Sequence, residues 1–325
     1  MNSDRRTIGL IAALCVASMA AVQSRDSVSV KASLGTLKSQ LDSIAQKTPG
    51  TLGYSLHHLK MRDRVDRLGD ELFATDSTLK VAIMGAAIEQ VTSGKIAYKS
   101  VRTLIPGDRN AGGFFYSFRD NTELEFKEVV HQMIAQSDNT ATLMLMRWIG
   151  GTDVVNAWVQ QHGLKQTRLI SQYPISPELE KNEAKIEELK RDVAKWGMGV
   201  STPNQMRELM EMIVDGRAGS DAATDEMRRI LTHQYFDEGI GSQIPPWVSV
   251  ASKSGRGART RSGLAVVNSP SGTYVLSIFA QGPPDATSTW HDEVATSIRG
   301  ISKAVWQHYH PTDKWTPPAG VEKFW

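Results

Sequence analysis

Apolar and polar side chains alternate along most of the chain at spacings that predict helices and strands. Predicted helices lie at about 34–45, 124–135, 139–149, 152–162 and 289–309, and predicted strands at 51–59, 248–252, 264–268 and 273–280. Strands near both ends with helices between them predict a mostly antiparallel sheet built from 51–72 and 248–281. A helical lobe is predicted between these segments, from about 77 to 230.

The stretch FATDSTLKVAIMGAAIEQ, residues 73–90, predicts a helix that is apolar on every side after its first turn. A helix with this pattern is buried. Ser77 and Lys80 are three residues apart, so they share one face of that first turn. Two interpretations follow. Either a cap is followed by a lysine that reaches out to solvent, or a serine and a lysine form a buried pair for catalysis.

Length and charge limit the class of protein. The chain has 325 residues, 40% of them hydrophobic, which is enough for one large domain or two lobes with a substantial core. The formal net charge is +2, and we find no basic stripe interleaved with aromatic residues. The sequence therefore does not favour a nucleic-acid partner.

The N-terminus has the organisation of an export signal. Two arginines precede a run of uncharged residues at 8–22, which is shorter than the ~20 apolar residues of a membrane span. We therefore interpret residues 1–22 as a signal peptide, with an uncleaved anchor as the alternative. The only cysteine, Cys15, lies inside this segment, so the mature chain would have no disulfide. The expected location is the periplasm or the exterior, with no lasting membrane span.

Two further short motifs stand at predicted element boundaries. Ser137-Asp138-Asn139 separates two predicted helices, and Lys253-Ser254-Gly255 ends a predicted strand. Alone, the first is a common helix cap and the second a common turn. Together with Ser77 and Lys80, in this order, they form a specific combination.

The combination resembles the class A β-lactamases and related penicillin-recognising serine enzymes. The resemblance extends from about residue 34 to 309. Further matching segments are Phe73, SDNTA with IGG at 149–151, Thr167-Arg168-Leu169 and STPNQM at 201–206. It implies an α+β fold of the class A β-lactamase type, with an antiparallel sheet flanked by helices and an all-helical lobe. The serine hydrolase domain would cover 23–310, followed by a Pro-rich tail at 311–325.

The resemblance implies that Ser77 is the nucleophile and Lys80 its base. A serine hydroxyl needs an adjacent base to attack efficiently, and a lysine can serve only when part of its population is neutral. Burial in the apolar helix and a nearby second cation, Lys253, would both lower the pKa of Lys80. Ser137 would pass a proton to the leaving nitrogen. Neither a metal nor a cofactor is implied.

The remaining motif residues are expected to bind substrate. By resemblance, Asn139 would bond the side-chain amide of the substrate, and Lys253, Ser254 and Gly255 would hold its carboxylate. The backbone N–H groups of Ser77 and Arg256 would form the oxyanion hole.

The sequence departs from the family pattern at the residue that releases the acyl group. Class A enzymes use a glutamate after Thr-Arg-Leu, but an ungapped count places Tyr173 there. The following segment is longer than the family's loop, and its alternating charges predict an exposed helix. Within it, Glu178 and Asn182 reproduce the family's Glu-to-Asn spacing, so we expect Glu178 to be the deacylating base. The alternatives are Glu180, Glu183, Tyr173 and Lys80.

Two other positions differ. The family often carries a carboxylate-binding arginine after Lys-Ser-Gly, and here Ser262 holds that position, with Arg261 one residue earlier. A shift of one residue reverses the face of a strand, so Arg261 can bind substrate only if a bulge intervenes. Arg256 is the alternative. Asp76, directly before Ser77, is expected to keep Lys80 protonated by its negative charge.

Three functions remain open. The first is hydrolysis of β-lactams through an acyl-enzyme on Ser77. The second is a penicillin-binding D-alanyl peptidase or a slow acyl trap without an efficient base. The third is a non-catalytic binding protein, which the complete set of motif residues disfavours. The expected partner is a small-molecule β-lactam or D-alanyl peptide, and the protein is expected to be a monomer.

Overall fold

The computed structural model describes residues 34–282 and 292–324. The predicted signal peptide and the first three residues of the predicted closing helix lie outside this part. The helices are α1 (34–47), α2 (Lys80–Thr92), α3 (Phe126–Ala135), α4 (Asn139–Ile149), α5 (Thr152–Gln161), α6 (Pro177–Glu180), α7 (Glu183–Trp196), α8 (Pro203–Asp215), α9 (Asp221–Leu231) and α10 (Glu293–Tyr309). The strands are β1 (Thr51–His58), β2 (Asp63–Arg67), β3 (Phe73–Ala74), β4 (Val101–Thr103), β5 (Glu123–Glu125), β6 (Arg168–Leu169), β7 (Gly199–Ser201), β8 (Ser249–Arg256), β9 (Thr260–Ser269) and β10 (Gly272–Gln281).

The main sheet is antiparallel, with the strand order β2-β1-β10-β9-β8. Strands from both ends of the chain therefore pair in one sheet, as the sequence predicts. Side chains alternate between its two faces. On β10, Leu276 and Ile278 pack with α1 and α10, whereas Val275 and Phe279 pack with the helices between β3 and β8.

Helix α2 is the centre of the helical part. Its residues from Lys80 to Ile88 are all buried, and Lys80 itself has no exposed surface. The lysine therefore does not reach solvent, which excludes the first interpretation of the Ser77–Lys80 pair. A short 3₁₀ turn at Asp76–Leu79 precedes the helix and carries Ser77.

The inserted segment forms the two exposed helices α6 and α7, neither of which contains a fully buried residue. This agrees with the expectation from alternating charge. The antiparallel sheet, the flanking helices and the helical lobe confirm the predicted α+β fold class. Within the described ranges, none of the helices is both long and apolar enough to cross a membrane.

Candidate active site

The 3₁₀ turn places Ser77 beside the edge strand β8. Gly255 on β8 permits this approach, because a Cβ atom there would lie 2.3 Å from Ser262 Oγ and 3.0 Å from the Thr75 carbonyl oxygen. Any larger residue at position 255 would push the strand away from the turn. Ser77 is half-buried, one turn before Lys80, whose backbone N–H donates to the Ser77 carbonyl.

Lys80 and Ser137 are in contact. The Lys80 Nζ atom donates to the backbone carbonyl of Ser137, to Asn139 Oδ1 at 2.9 Å and to Ser137 Oγ at 3.3 Å. The buried amine thus has hydrogen-bond acceptors from the loop between α3 and α4. These bonds hold the lysine beside the serine that is expected to transfer its proton.

The backbone of this loop is unusual at Ser137, which has φ = 55° and so lies in the left-handed region that non-glycine residues rarely adopt. The adjacent Asp138 holds the loop in place. Its buried carboxylate caps α4 by accepting from Ala141 N at 2.8 Å and also accepts from Phe115 N at 2.9 Å. A non-glycine residue keeps a left-handed backbone conformation where surrounding contacts such as these stabilise it.

Lys253 on β8 reaches the same serine. Its Nζ atom lies 3.1 Å from Ser137 Oγ and donates to the Ser254 carbonyl at 2.7 Å. The side chain is fully buried. The Ser137 hydroxyl therefore lies between the amines of Lys80 and Lys253.

Burial of the two amines changes their protonation. Burial lowers the pKa of Lys80 to about 7, and the nearby Asp138 carboxylate offsets only part of this effect. Burial and the charge of Lys80 lower the pKa of Lys253 well below its usual value. The expectation that Asp76 keeps Lys80 protonated is not met, because the Asp76 carboxylate accepts instead from the Thr260 hydroxyl. A neutral Lys80 can accept a proton at neutral pH.

These groups border a cleft of about 590 Å³. Its polar side chains, here called the polar wall, include the predicted nucleophile Ser77 and three of the six predicted substrate-binding residues, and its three phenyl rings are called the aromatic wall. The lining residues are Ser77, Gly112, Gly113, Phe114, Ser117, Phe118, Gln136, Ser137, Asn139, Phe236, Ser254 and Arg256. Among the described residues, the cleft lining contains no aspartate or glutamate.

The structure does not bring Glu178 to the cleft. Glu178 is exposed on α6, while the neighbouring Leu179 packs near Leu169 and Leu189 on the other side of the inserted segment. Residues adjacent in a helix point about 100° apart, so Glu178 is exposed while Leu179 is half-buried. The two alternative carboxylates of this segment, Glu180 and Glu183, are exposed as well.

Tyr173 is also directed away from the cleft lining. Its hydroxyl lies 3.0 Å from Asp108 Oδ1, and Arg147 forms an ion pair with the same buried carboxylate. Burial and Asp108 raise the pKa of Tyr173, which leaves even less of the phenolate that could act as a base at neutral pH. Tyr173 therefore anchors the loop between β6 and α6.

Arg261 differs from its predicted substrate-binding role. The β8–β9 register runs without a bulge from Lys253 opposite Leu264 to Arg256 opposite Arg261. Arg261 is buried, and its guanidinium donates to Asp292 Oδ2 at 2.7 Å and to the backbone carbonyls of Gly257 and Thr260. Without a bulge, the arginine is used in a structural ion pair, and Arg256 is the arginine at the cleft.

The aromatic wall is the part of the site that sequence reasoning did not assign. Phe114 and Phe118 come from the loop between β4 and β5, and Phe236 follows α9. The signal that could have found the first two is the aromatic cluster in the Gly-rich segment 105–122. Nothing in the sequence links that segment to Phe236, because only the tertiary fold brings them to one cleft.

Comparisons with known proteins agree with this fold. The profile of the β-lactamase enzyme family matches residues 36–309. β-Lactamase VEB-1 of Pseudomonas aeruginosa is 20% identical over 287 residues, which cover 84% of this chain and 90% of that protein. The crystal structure of a β-lactamase from Sphaerobacter thermophilus is similar with a TM-score of 0.71 and 24% identity, covering 85% of this chain and 98% of that one.

A third similar protein is PBP-A, in a mutant form described as an acyl-enzyme complex with penicillin G. It aligns with a TM-score of 0.72 and 22% identity, covering 85% of this chain and 97% of that one. At this identity, the likeness to the solved structures shows the fold. The family profile spans most of the chain, and the protein therefore belongs to the β-lactamase enzyme family.

Proposed function

We propose that this serine hydrolase opens β-lactam rings by acylation of Ser77 and hydrolyses the resulting ester more slowly than it forms. One observation carries the proposal. Two buried lysines converge on Ser137 beside a cleft that contains Ser77, yet no carboxylate of the described residues lines that cleft. This arrangement supports acylation, and it gives no support for a carboxylate base in hydrolysis.

Acylation uses groups in or beside the cleft. Ser77 Oγ bonds to the β-lactam carbonyl carbon while neutral Lys80 accepts the hydroxyl proton. The ring C–N bond then breaks, and Ser137 passes a proton to the nitrogen. Ser137 is suited to this transfer because its hydroxyl lies 3.3 Å from Lys80 Nζ and 3.1 Å from Lys253 Nζ. The backbone N–H groups of Ser77 and Arg256 would stabilise the oxyanion.

Substrate binding would use the polar wall. Ser254 and Arg256 line the cleft, so they provide a hydroxyl and a positive charge for the substrate carboxylate, and the buried Lys253 amine donates to the Ser254 carbonyl. Asn139 already donates to the Ala111 carbonyl at 2.7 Å and accepts from Lys80. Its second amide hydrogen would bond the acylamino oxygen of the substrate.

Hydrolysis requires a base that reaches a water molecule beside the ester. The exposed position of Glu178 leaves Lys80 as the better placed candidate, since it becomes neutral again once its proton has gone to the leaving nitrogen. General-base assistance is worth ~10²–10⁴-fold, so a poorly placed base gives a long-lived acyl-enzyme. The acyl-enzyme described for the PBP-A mutant, a protein of similar fold, supports such an intermediate.

Intact-mass spectrometry with benzylpenicillin tests the proposal. We expect one adduct that forms within seconds to minutes, persists much longer than it takes to form, and is absent from Ser77→Ala. Ser93→Ala, an exposed serine at the other end of the same helix, is the matched control. Absence of an adduct in the wild type, with no turnover, would refute acylation. Rapid turnover without accumulation would refute the slow second step.

A peptide ending in D-alanyl-D-alanine is the second arm of the same experiment. The D-alanyl peptidase function requires the same nucleophile and carboxylate-binding groups, and the PBP-A likeness favours including it. Release of D-alanine that depends on Ser77 would assign the peptidase function. Its absence alongside a penicillin adduct would leave β-lactam acylation as the activity.

We infer further that residues 1–22 direct export and are removed. The short uncharged run after two arginines supports this inference. Cell fractionation and N-terminal sequencing of the exported protein test it. A protein that retains residue 1 and sediments with membranes would instead support the anchor.

A further inference from the structure

Asp76 holds an unusual position directly before the nucleophile. Its backbone has φ = 46°, in the left-handed region, and it opens the 3₁₀ turn that carries Ser77. Asp tolerates this region better than most residues, but the conformation still costs free energy. Contacts of the Asp76 side chain are therefore needed to keep the turn in this shape.

Those contacts come from β9. The Thr260 hydroxyl donates to Asp76 Oδ2, and two residues further along the same strand the Ser262 hydroxyl donates to the Thr75 carbonyl at 3.0 Å. Residues two apart on a strand point to the same face. One face of β9 thus holds the turn at two consecutive residues, immediately before Ser77.

The end of the β8–β9 hairpin also lies close to the 3₁₀ turn that carries Ser77. A Cβ atom on Gly257 would lie 2.7 Å from Asp76 Oδ1, and one on Gly255 would lie 3.2 Å from Asp76 Cβ. Arg256 stands between these two glycines. The strand end that carries the Arg256 backbone N–H is therefore packed against the side chain of Asp76.

We propose that Asp76 is a positioning residue for acylation, acting through its hydrogen bond with Thr260. The bond ties the turn that carries Ser77 to the end of the β8–β9 hairpin, which carries Arg256. It thereby fixes the separation of the two backbone N–H groups that receive the oxyanion. This inference rests on the proposed function, because it concerns the rate of Ser77 acylation.

The physical reason is that oxyanion stabilisation depends on donors held in place before the reaction. Donors contribute most when they already lie 2.7–3.1 Å from the developing charge, and a site loosened by 1 Å loses much of its rate. A hydrogen bond to a carboxylate is roughly twice as strong as one between neutral groups. Asp76 can therefore hold the turn more firmly than a neutral residue would.

The negative charge of Asp76 is stabilised by two neighbouring residues of β9, Thr260 and Arg261. Burial raises the pKa of Asp76, whereas the Thr260 hydroxyl and the Arg261 guanidinium lower it. Arg261 in turn is paired with Asp292 behind the hairpin. The aspartate thus belongs to a polar chain that ends at a buried ion pair.

The test measures two quantities for each variant. One is the limiting acylation rate at saturating benzylpenicillin, and the other is the benzylpenicillin concentration that gives half of that rate. We expect Thr260→Val to lower the limiting rate about tenfold or more and to leave the half-saturating concentration within about twofold. Thr260→Ser keeps the donor and should restore the rate. Combining Thr260→Val with Asp76→Ala should cost no more than the larger single effect, because both remove one bond.

Thr273→Val is the matched control. Thr273 makes a hydroxyl bond of 3.1 Å to Asn268 in the same sheet, away from the cleft lining, so its loss should leave the acylation rate unchanged. A purely structural role for Thr260 would lower the melting temperature and leave the limiting rate unchanged. Should Thr260→Val fail to fold, Asp76→Asn keeps an acceptor oxygen and is expected to acylate faster than Asp76→Ala.

The outcomes separate the two proposals. A wild type that is acylated at Ser77, with Thr260→Val equally fast, would overturn the positioning role and leave the proposed function intact. Additive effects of the two substitutions, or a change confined to the half-saturating concentration, would also overturn it. A wild type that forms no adduct and shows no turnover would refute both proposals.

Discussion

We expect the rate of Ser77 acylation to rise with pH through about 7 and to level off above it. Lys80 can remove the hydroxyl proton only when its amine is neutral, and burial lowers its pKa to about 7. The deprotonated fraction of Lys80 therefore sets the rate across this range. Lys80→Arg keeps the positive charge at every accessible pH and should lose most of the activity.

The size of the effect follows from the pKa. A lysine with its usual pKa near 10.5 is neutral in about 0.03% of molecules at pH 7, whereas a pKa of about 7 gives about one half. The shift thus raises the available base roughly a thousandfold. Lys80→Arg should accordingly lower the acylation rate by ~10²–10⁴-fold.

Rapid-quench mass spectrometry of the penicillin adduct between pH 5.5 and 9 measures this rate. Lys38→Arg is the matched control, since Lys38 lies on α1 in an exposed ion pair with Asp42. We expect the control to reproduce the wild-type profile. A rate that does not change between pH 6 and 8, or a Lys80→Arg variant within tenfold of the wild type, would show that Lys80 is not the base.

The same pKa has a consequence for stability that does not depend on activity. Between about pH 7 and 10.5 the unfolded chain still binds the Lys80 proton while the folded protein has lost it, so the free energy of unfolding rises with pH. The penalty for burying the amine is complete below about 7 and absent above about 10.5. In urea titrations, the free energy of unfolding of the wild type minus that of Lys80→Met should increase by up to about 1.4 kcal/mol per pH unit between 7 and 9. Parallel curves would contradict the lowered pKa.

Three substitutions outside the cleft lining test the other assignments. Glu178→Gln should leave penicillin turnover within about twofold of the wild type, because Glu178 is exposed on α6. A stalled acyl-enzyme in a burst experiment on this variant would instead identify Glu178 as the base. Tyr173→Phe should lower the free energy of unfolding by about 1 kcal/mol in urea titrations, since it removes the hydrogen bond to buried Asp108. An unchanged unfolding midpoint would show that this bond does not stabilise the protein. Arg261→Met should lower the free energy of unfolding by ~3–5 kcal/mol in the same titrations, because Asp292 loses its buried partner. A loss of substrate affinity without a loss of stability would instead support the predicted substrate-binding role of Arg261.

Helix and strand positions follow largely from the pattern of apolar residues. Helix α4 has the predicted bounds, and α3 and α5 differ from prediction by one or two residues. Strand β8 is longer than predicted because it continues through Lys253 and Ser254, whose polar side chains interrupt the apolar run. The backbone ladder to β9 stabilises these residues as strand, and a pattern of side chains does not report that pairing.

The candidate site is predictable where chemistry sits in short motifs and unpredictable where it depends on distant segments. The motif residues Ser137 and Lys253 are 116 positions apart and still meet at 3.1 Å, as the resemblance implies. The direction of Tyr173 depends on Asp108, 65 residues earlier, and no local pattern encodes that contact. The face of Arg261 depends on the strand register, which only the pairing reveals.

Two aspartates flank the reacting groups, and both are already used to hold the backbone. Asp138 caps α4 and fixes the loop of Ser137, and Asp76 accepts from Thr260 beside the nucleophile. A carboxylate with such bonds cannot turn toward a water molecule without releasing the segment that it holds, and each buried bond lost costs about 1–3 kcal/mol. On the proposed mechanism we therefore expect Lys80 to be the base for hydrolysis of the ester, since its amine is bonded to Ser137 and Asn139. A single base arranged for the first step would give the fast acylation and slow release that we propose.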